Sequence, residues 1–132
     1  MPYVSTKSRV LLLTPITPEF TAVRSLIAAA LDKAGIEAIA WDAEHSPIGR
    51  AMEHADLIIA DVTGANPSVM YELGLAHGLR IPVLPIVARR AGSVPPEVAG
   101  LLFLVYDSAR PEELQRNIQE WAVRYLKQHQ RI

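Results

Sequence analysis

The chain has 132 residues, half of them hydrophobic, with no cysteine and a formal net charge of −1. That length suits one domain with its own core, and the lack of thiols excludes a disulfide framework, a cysteine nucleophile and thiolate metal sites. Mixed, balanced charge gives no footprint for nucleic acid, no apolar run approaches a membrane span, and the one near the N-terminus is too short for a secretory signal. The expectation is a soluble cytoplasmic protein forming a single domain over 1–132, or one domain of a longer chain.

In chain order, Arg9 to Thr14 is a compact apolar run closed by Pro15, of the kind a strand covered on both faces requires. Thr17 is placed to cap a helix that has Pro18 at its first position. That helix runs from Glu19 to about Lys33, with Phe20, Val23, Ile27 and Leu31 at helical spacing, and Gly35 stops it. Glu37 to Trp41 forms the second strand, with Asp42 at its carboxyl end. A loop from Ala43 to Pro47 holds His45, and Ser46 caps a short helix from Pro47 to His54. The third strand is Leu57 to Ala60, ending on Asp61. Asn66 as cap and Pro67 at the first helical position open the next helix, which ends near His77 with Gly78 as its stop. Val83 to Val87 is the fourth strand, Ala88 to Pro96 a basic, turn-rich loop, and Leu101 to Val105 the fifth strand. The last helix runs from Pro111 to about Gln128 with Leu114, Ile118, Trp121, Ala122 and Tyr125 facing inward.

Strands alternating with helices predict a three-layer α/β domain with a parallel sheet. Five strands favour the flavodoxin-like order 2-1-3-4-5, which puts ligands at the carboxyl ends of strands one and three. That edge receives Thr14 to Thr17 (with Ile16), Asp42 to Ser46, Asp61 to Asn66, and the loop after Val87. The stretch from Ala55 to Pro85 concentrates polar residues between two buried-type strands and is the expected site. Glu72 shares a helix face with Ser68 and Ala76, and His77 does not. The apolar helix around Glu72 favours a partly buried carboxylate of raised proton affinity, a usual mark of a functional site, over a solvated one. Asp61 has two readings: a turn aspartate bonding the amides of Thr63 or Gly64, or a carboxylate binding ribose hydroxyls. Thr63 and Asn66 read as turn and cap, Ser68 as a first-turn residue or a ligand contact, and Asp42 and His45 as loop polarity or ligand contacts. His45, His54, His77 and His129 lack metal-ligand spacing, so no metal is expected. No phosphate-cradling glycine motif and no serine elbow occurs.

The segment ADLIIADVTGANPSVMYELGLAHG resembles a signature shared by bacterial TIR-like nucleotide-binding domains and by the nucleoside 2-deoxyribosyltransferases and deoxynucleotide N-hydrolases. The resemblance rests on Asp61-x-Thr63, Asn66-Pro67, Tyr71-Glu72-Leu73-Gly74 and Ala76-His77, and extends weakly back to Phe20, Gly35-Ile36 and Asp42. It implies a TIR-like fold and assigns to Glu72 the catalytic role in cleaving an N-glycosidic bond, with Asp61 near the sugar. The expected substrate contacts are Asp61, Ser68, Asp42, Thr14, Ile16 and Asn66. Two departures stand out: Ser68 where the TIR-like sequences usually have a second asparagine, and a first loop (Thr14 to Pro18) without the glycines of the nucleoside enzymes. A cationic nicotinamide leaves without a general acid, whereas a neutral base usually needs protonation. One carboxylate therefore fits NAD as substrate, with no resident cofactor. The resemblance also implies a homo-oligomer. The alternatives are a nucleoside or deoxynucleotide glycosidase, and a non-catalytic module that senses a nucleotide or assembles.

Overall fold

The computed structural model describes residues 7–39 and 48–129. Strands β1 (Arg9–Leu13), β2 (Glu37–Ile39), β3 (Leu57–Asp61), β4 (Val83–Ala88) and β5 (Leu104–Tyr106) form one parallel sheet in the order β2-β1-β3-β4-β5. Helices α1 (Pro18–Lys33), α2 (Ile48–Glu53), α3 (Pro67–Gly78) and α4 (Pro111–His129) cover it. This is the flavodoxin-like topology that the alternation of elements predicts.

The period-2 alternation of strand side chains divides the core into two layers. Val10, Leu12, Leu57, Ile59, Leu84 and Ile86 face α1 and α4, where they meet Val23, Ile27, Leu31, Ile118 and Ala122. Leu11, Leu13, Ile58 and Ala60 face the other way, onto Met52 of α2 and Val69, Leu73 and Ala76 of α3. The unbroken apolar runs of β1 and β3 thus reflect a sheet buried on both sides. Gln115 and Gln119 of α4 add a polar clamp, donating to the carbonyls of Leu26 and Ala30 in α1 at 3.0 and 2.9 Å.

Helix α1 ends as expected on Gly35 at φ +78°. The amide of Ile36 returns to the carbonyl of Leu31 and that of Gly35 to Asp32, the doubly bonded stop that favours glycine at the left-handed position. Helix α3 closes with the same pair of bonds, Ile81 to Ala76 and Arg80 to His77, but the left-handed residue is Arg80, at φ +59°. Gly78, the expected stop, is the last helical residue. The fifth strand also differs from expectation. It is Leu104–Tyr106, because Leu101 is still in a turn, its amide bonded to Val98. Leu102 is largely exposed, while Tyr106 is the buried residue. Pro85 can sit within β4 because β5 joins that strand only from Ile86 onward.

Thr17 holds the N-cap position of α1 but makes no side-chain capping bond. Trp41, Asp42, His45, Ser46 and Pro47, and with them the expected second loop, lie outside the described residues.

Candidate functional site

Glu72 lies in the second turn of α3. Two local features fix the start of that helix. Pro67 occupies its first position, and the Asn66 side-chain oxygen accepts from the amides of Ser68 and Val69 at 3.0 and 3.2 Å. The oxygen of Asn66 is thus occupied as the cap that its position predicts. Glu72 is 8% exposed and shares the buried side of α3 with Val69, Leu73 and Ala76. Among the described residues it makes no hydrogen bond and no ion pair. Burial alone raises its carboxyl above the ordinary 4.5, because a charge taken from water without a partner favours the neutral form. Ser68, one turn earlier, and Tyr71 are exposed beside it. Tyr71 is thus not the packing residue that its place in an apolar stretch suggests.

Asp61 presents the opposite case. It is fully buried at the end of β3. One carboxylate oxygen accepts from the Thr63 amide at 3.0 Å and from the Thr63 hydroxyl at 2.6 Å. The other accepts from the Tyr106 hydroxyl at 2.5 Å. Burial pushes its carboxyl above 3.8, and these donors pull part of the way back. The Tyr106 hydroxyl is raised in turn by burial and by the neighbouring carboxylate. Asp61 alternates in phase with Leu57 and Ile59, so it points into the α1–α4 layer together with Tyr106. Glu72 projects from a helix of the other layer. The two carboxylates share the carboxyl edge of the sheet but not a face. Asp61 makes the turn bonds of the first reading and is fully buried, and its place as a ribose contact stays an expectation.

Thr14 follows β1, one residue beyond the Leu13–Ala60 pair. Its hydroxyl is buried and has no hydrogen-bond partner among the described residues. Ile16, in the next turn of the same loop, is 87% exposed. Asp42 lies outside the described residues. Of the expected contacts, then, Ser68 and Ile16 are exposed, the Thr14 hydroxyl is buried, and Asn66 and Asp61 make bonds within the chain.

Two hollows lie away from Glu72. One, of about 100 Å³, is in the α1–α4 layer between Glu19, Leu26, Arg90, Tyr106, Ser108 and Leu114, and Arg90 and Glu19 pair at its rim at 2.6 Å. The other, about 530 Å³, is an open groove between the C-terminal halves of α1 and α4, with Lys33, Glu120, Arg124 and Lys127. Both helices run antiparallel to the strands, so this larger groove is at the amino edge, where the topology places no chemistry. Its size does not make it the site. Among the described residues no group of three or more His, Asp and Glu could hold a metal, and no helix is long and apolar enough to cross a membrane.

Sequence reasoning missed Tyr106. The available signal was a polar-tipped aromatic just past an apolar run, where the phenol needs a buried partner.

Comparison with solved structures supports this architecture. The chain is similar to the TIR domain of the Toll-related receptor TRR-2 from Hydra magnipapillata, with 20% identity and a TM-score of 0.62 over 84% of this chain and 94% of that one. It is also similar to a response regulator from Thermotoga maritima, with 15% identity and a TM-score of 0.56 over 87% of this chain and 97% of that one. The chemotaxis protein CheY4 of Vibrio cholerae matches with 19% identity and a TM-score of 0.52, over 87% and 98%. No family model matches the chain, and no curated protein does. The fold is TIR-like within the flavodoxin-like class, and response regulators share its outline.

Proposed function

We propose that this chain is a TIR-like NAD glycohydrolase or cyclase that breaks the bond between nicotinamide and ribose, with Glu72 as its catalytic carboxylate. The observation that carries the proposal is the burial of Glu72 with no partner among the described residues, on the helix that starts from the carboxyl edge of the sheet. Burial raises the proton affinity of Glu72, and a carboxylate so perturbed near the carboxyl edge of an α/β sheet is a usual mark of a functional site.

Cleaving an N-glycosidic bond passes through an oxocarbenium-like state at the sugar, which an adjacent carboxylate can stabilise or attack. Poor solvation of Glu72 strengthens its attraction for that developing charge. The nicotinamide leaves as a neutral molecule from a cationic ring and needs no proton. Ser68, Thr14 and Ile16 stand at the same edge as candidate contacts for the nucleotide. Cytoplasmic location and assembly into homo-oligomers belong to the same reading.

The test is incubation of the purified protein with NAD, dilute and concentrated, with nicotinamide followed by chromatography. Release by the native chain that is lost in Glu72→Gln is expected. Equal release by the variant overturns the assignment. A parallel panel of deoxynucleosides and their monophosphates, watched for free base, separates NAD cleavage from nucleoside cleavage.

A further inference from the structure

The hydrogen bonds of Asp61 do more than satisfy Asp61. Thr63 stands at a joint where three segments meet. Its amide and hydroxyl both reach the Asp61 carboxylate at the end of β3. The same hydroxyl oxygen accepts the Ala88 amide at the end of β4, at 2.8 Å. Tyr106 of β5 holds the other Asp61 oxygen. Three strand ends are thus tied together through the Asp61–Thr63 pair, and Thr63 begins the 3-10 turn Thr63–Ala65 leading into α3.

The turn does not hold itself in place. Gly64 and Ala65 both have positive φ, +71° and +50°. Glycine adopts that region freely, whereas alanine is strained in it. The strained segment is fixed at one end by Thr63 and at the other by the Asn66 cap, and the Ala65 amide closes back onto the Val62 carbonyl at 2.9 Å. Glu72 is on the second turn of the helix that this segment launches. A small rotation at Thr63 therefore carries the Glu72 carboxylate with it.

We infer that Tyr106, acting through Asp61 and Thr63, is a positioning residue for Glu72, so that a hydroxyl in one layer of the fold sets the catalytic carboxylate of the other. The inference rests on the catalytic reading of Glu72 for its functional meaning, but its geometric content can be tested without turnover.

Three variants serve. Tyr106→Phe removes one hydroxyl and keeps the ring. Thr63→Val removes the other hydroxyl at constant shape, and Thr63→Ser keeps it. Two measurements are made on each folded protein: steady-state NAD cleavage, and the titration of the Glu72 side-chain carboxyl by carbon-detected NMR, assigned with Glu72→Gln. The expected result is that Tyr106→Phe and Thr63→Val lower kcat by about tenfold or more, since small misplacements of a reacting group are costly. KM is expected to change little. The Glu72 midpoint moves in both variants, because its burial changes, and Thr63→Ser recovers what Thr63→Val loses. A lowered melting temperature, with kcat and the Glu72 midpoint both unmoved, would mean the network is merely structural and would overturn the inference. If the native chain cleaves no NAD, the NMR arm still decides. A displaced Glu72 midpoint then upholds the positioning role while the NAD reading falls, and an undisplaced one removes both.

Discussion

Asp61 and Glu72 are both buried carboxylates at the carboxyl edge of one sheet, but the protein treats them differently. Asp61 receives bonds from Thr63 and Tyr106 and serves the architecture of three strand ends. Glu72 receives none from the described residues and lies on the buried side of α3. Burial raises both carboxyls, so a perturbed proton affinity alone does not separate a structural acid from a reactive one. The partners separate them: the satisfied charge belongs to the scaffold, and the one without a partner among the described residues is the candidate for the proposed chemistry.

The comparison is broken or sharpened most strongly by exchanging the two residues' fates. Glu72→Gln should lower nicotinamide release by about 10³-fold, the scale of losing one strong electrostatic contact in a transition state, while leaving the fold intact. Asp61→Ala should act first on the fold, and lower turnover only through the displaced Glu72. It leaves the Tyr106 hydroxyl and the Thr63 amide without their acceptor and should cost about 2–4 kcal/mol of stability, read as a lower urea midpoint. If Asp61→Ala were as stable as the native chain, the contrast between the two carboxylates would fail.

A subtler arm uses pH. The Glu72 carboxyl is raised in the folded state, so the folded chain holds its proton to higher pH than the unfolded chain does. The associated stability is fully present below the ordinary value of 4.5 and is lost as pH rises through the raised midpoint. Catalysis needs the ionised form and should climb through the same midpoint to a plateau. Glu72→Gln should therefore be more stable than the native chain at neutral pH, with the gap closing on acidification, as melting curves across pH would show. The smallest expected effect is a control far from either carboxylate. Arg80→Gly relieves the positive φ at the end of α3 and should add about 0.5–1 kcal/mol without altering turnover per molecule.

Much of this was open to a reader of the sequence, for local reasons. Asn66-Pro67 and Gly35-Ile36 are signals completed within a few residues, and both held. The sheet order followed from alternation and handedness. Glu72 emerged because an apolar helix between apolar strands leaves few ways to solvate a carboxylate. The failures were non-local. The face taken by Asp61 depends on its phase with Leu57 and Ile59 and on which helices cover that side. The partner of Asp61 is on a strand three residues later than the apolar run suggests, because Leu101 is held in a turn by Val98. Gly78 looked like a stop, but the residues that close α3 are set by the bonds from Arg80 and Ile81. An arginine there tolerates what a glycine would take freely.

The unpaired burial of Glu72 also bears on how such a chain changes over generations. Natural chains sit just above the stability they need, and most substitutions erode it. A lineage released from the need for this carboxylate gains robustness by replacing it with a neutral residue of similar shape. The position should then be among the first to drift, with Asp61, Thr63 and Tyr106 persisting after it as scaffold. On the proposed reading of Glu72, relatives that keep the fold but have shed the activity should be recognisable by that order of loss, and should be hardier proteins than those that retain it.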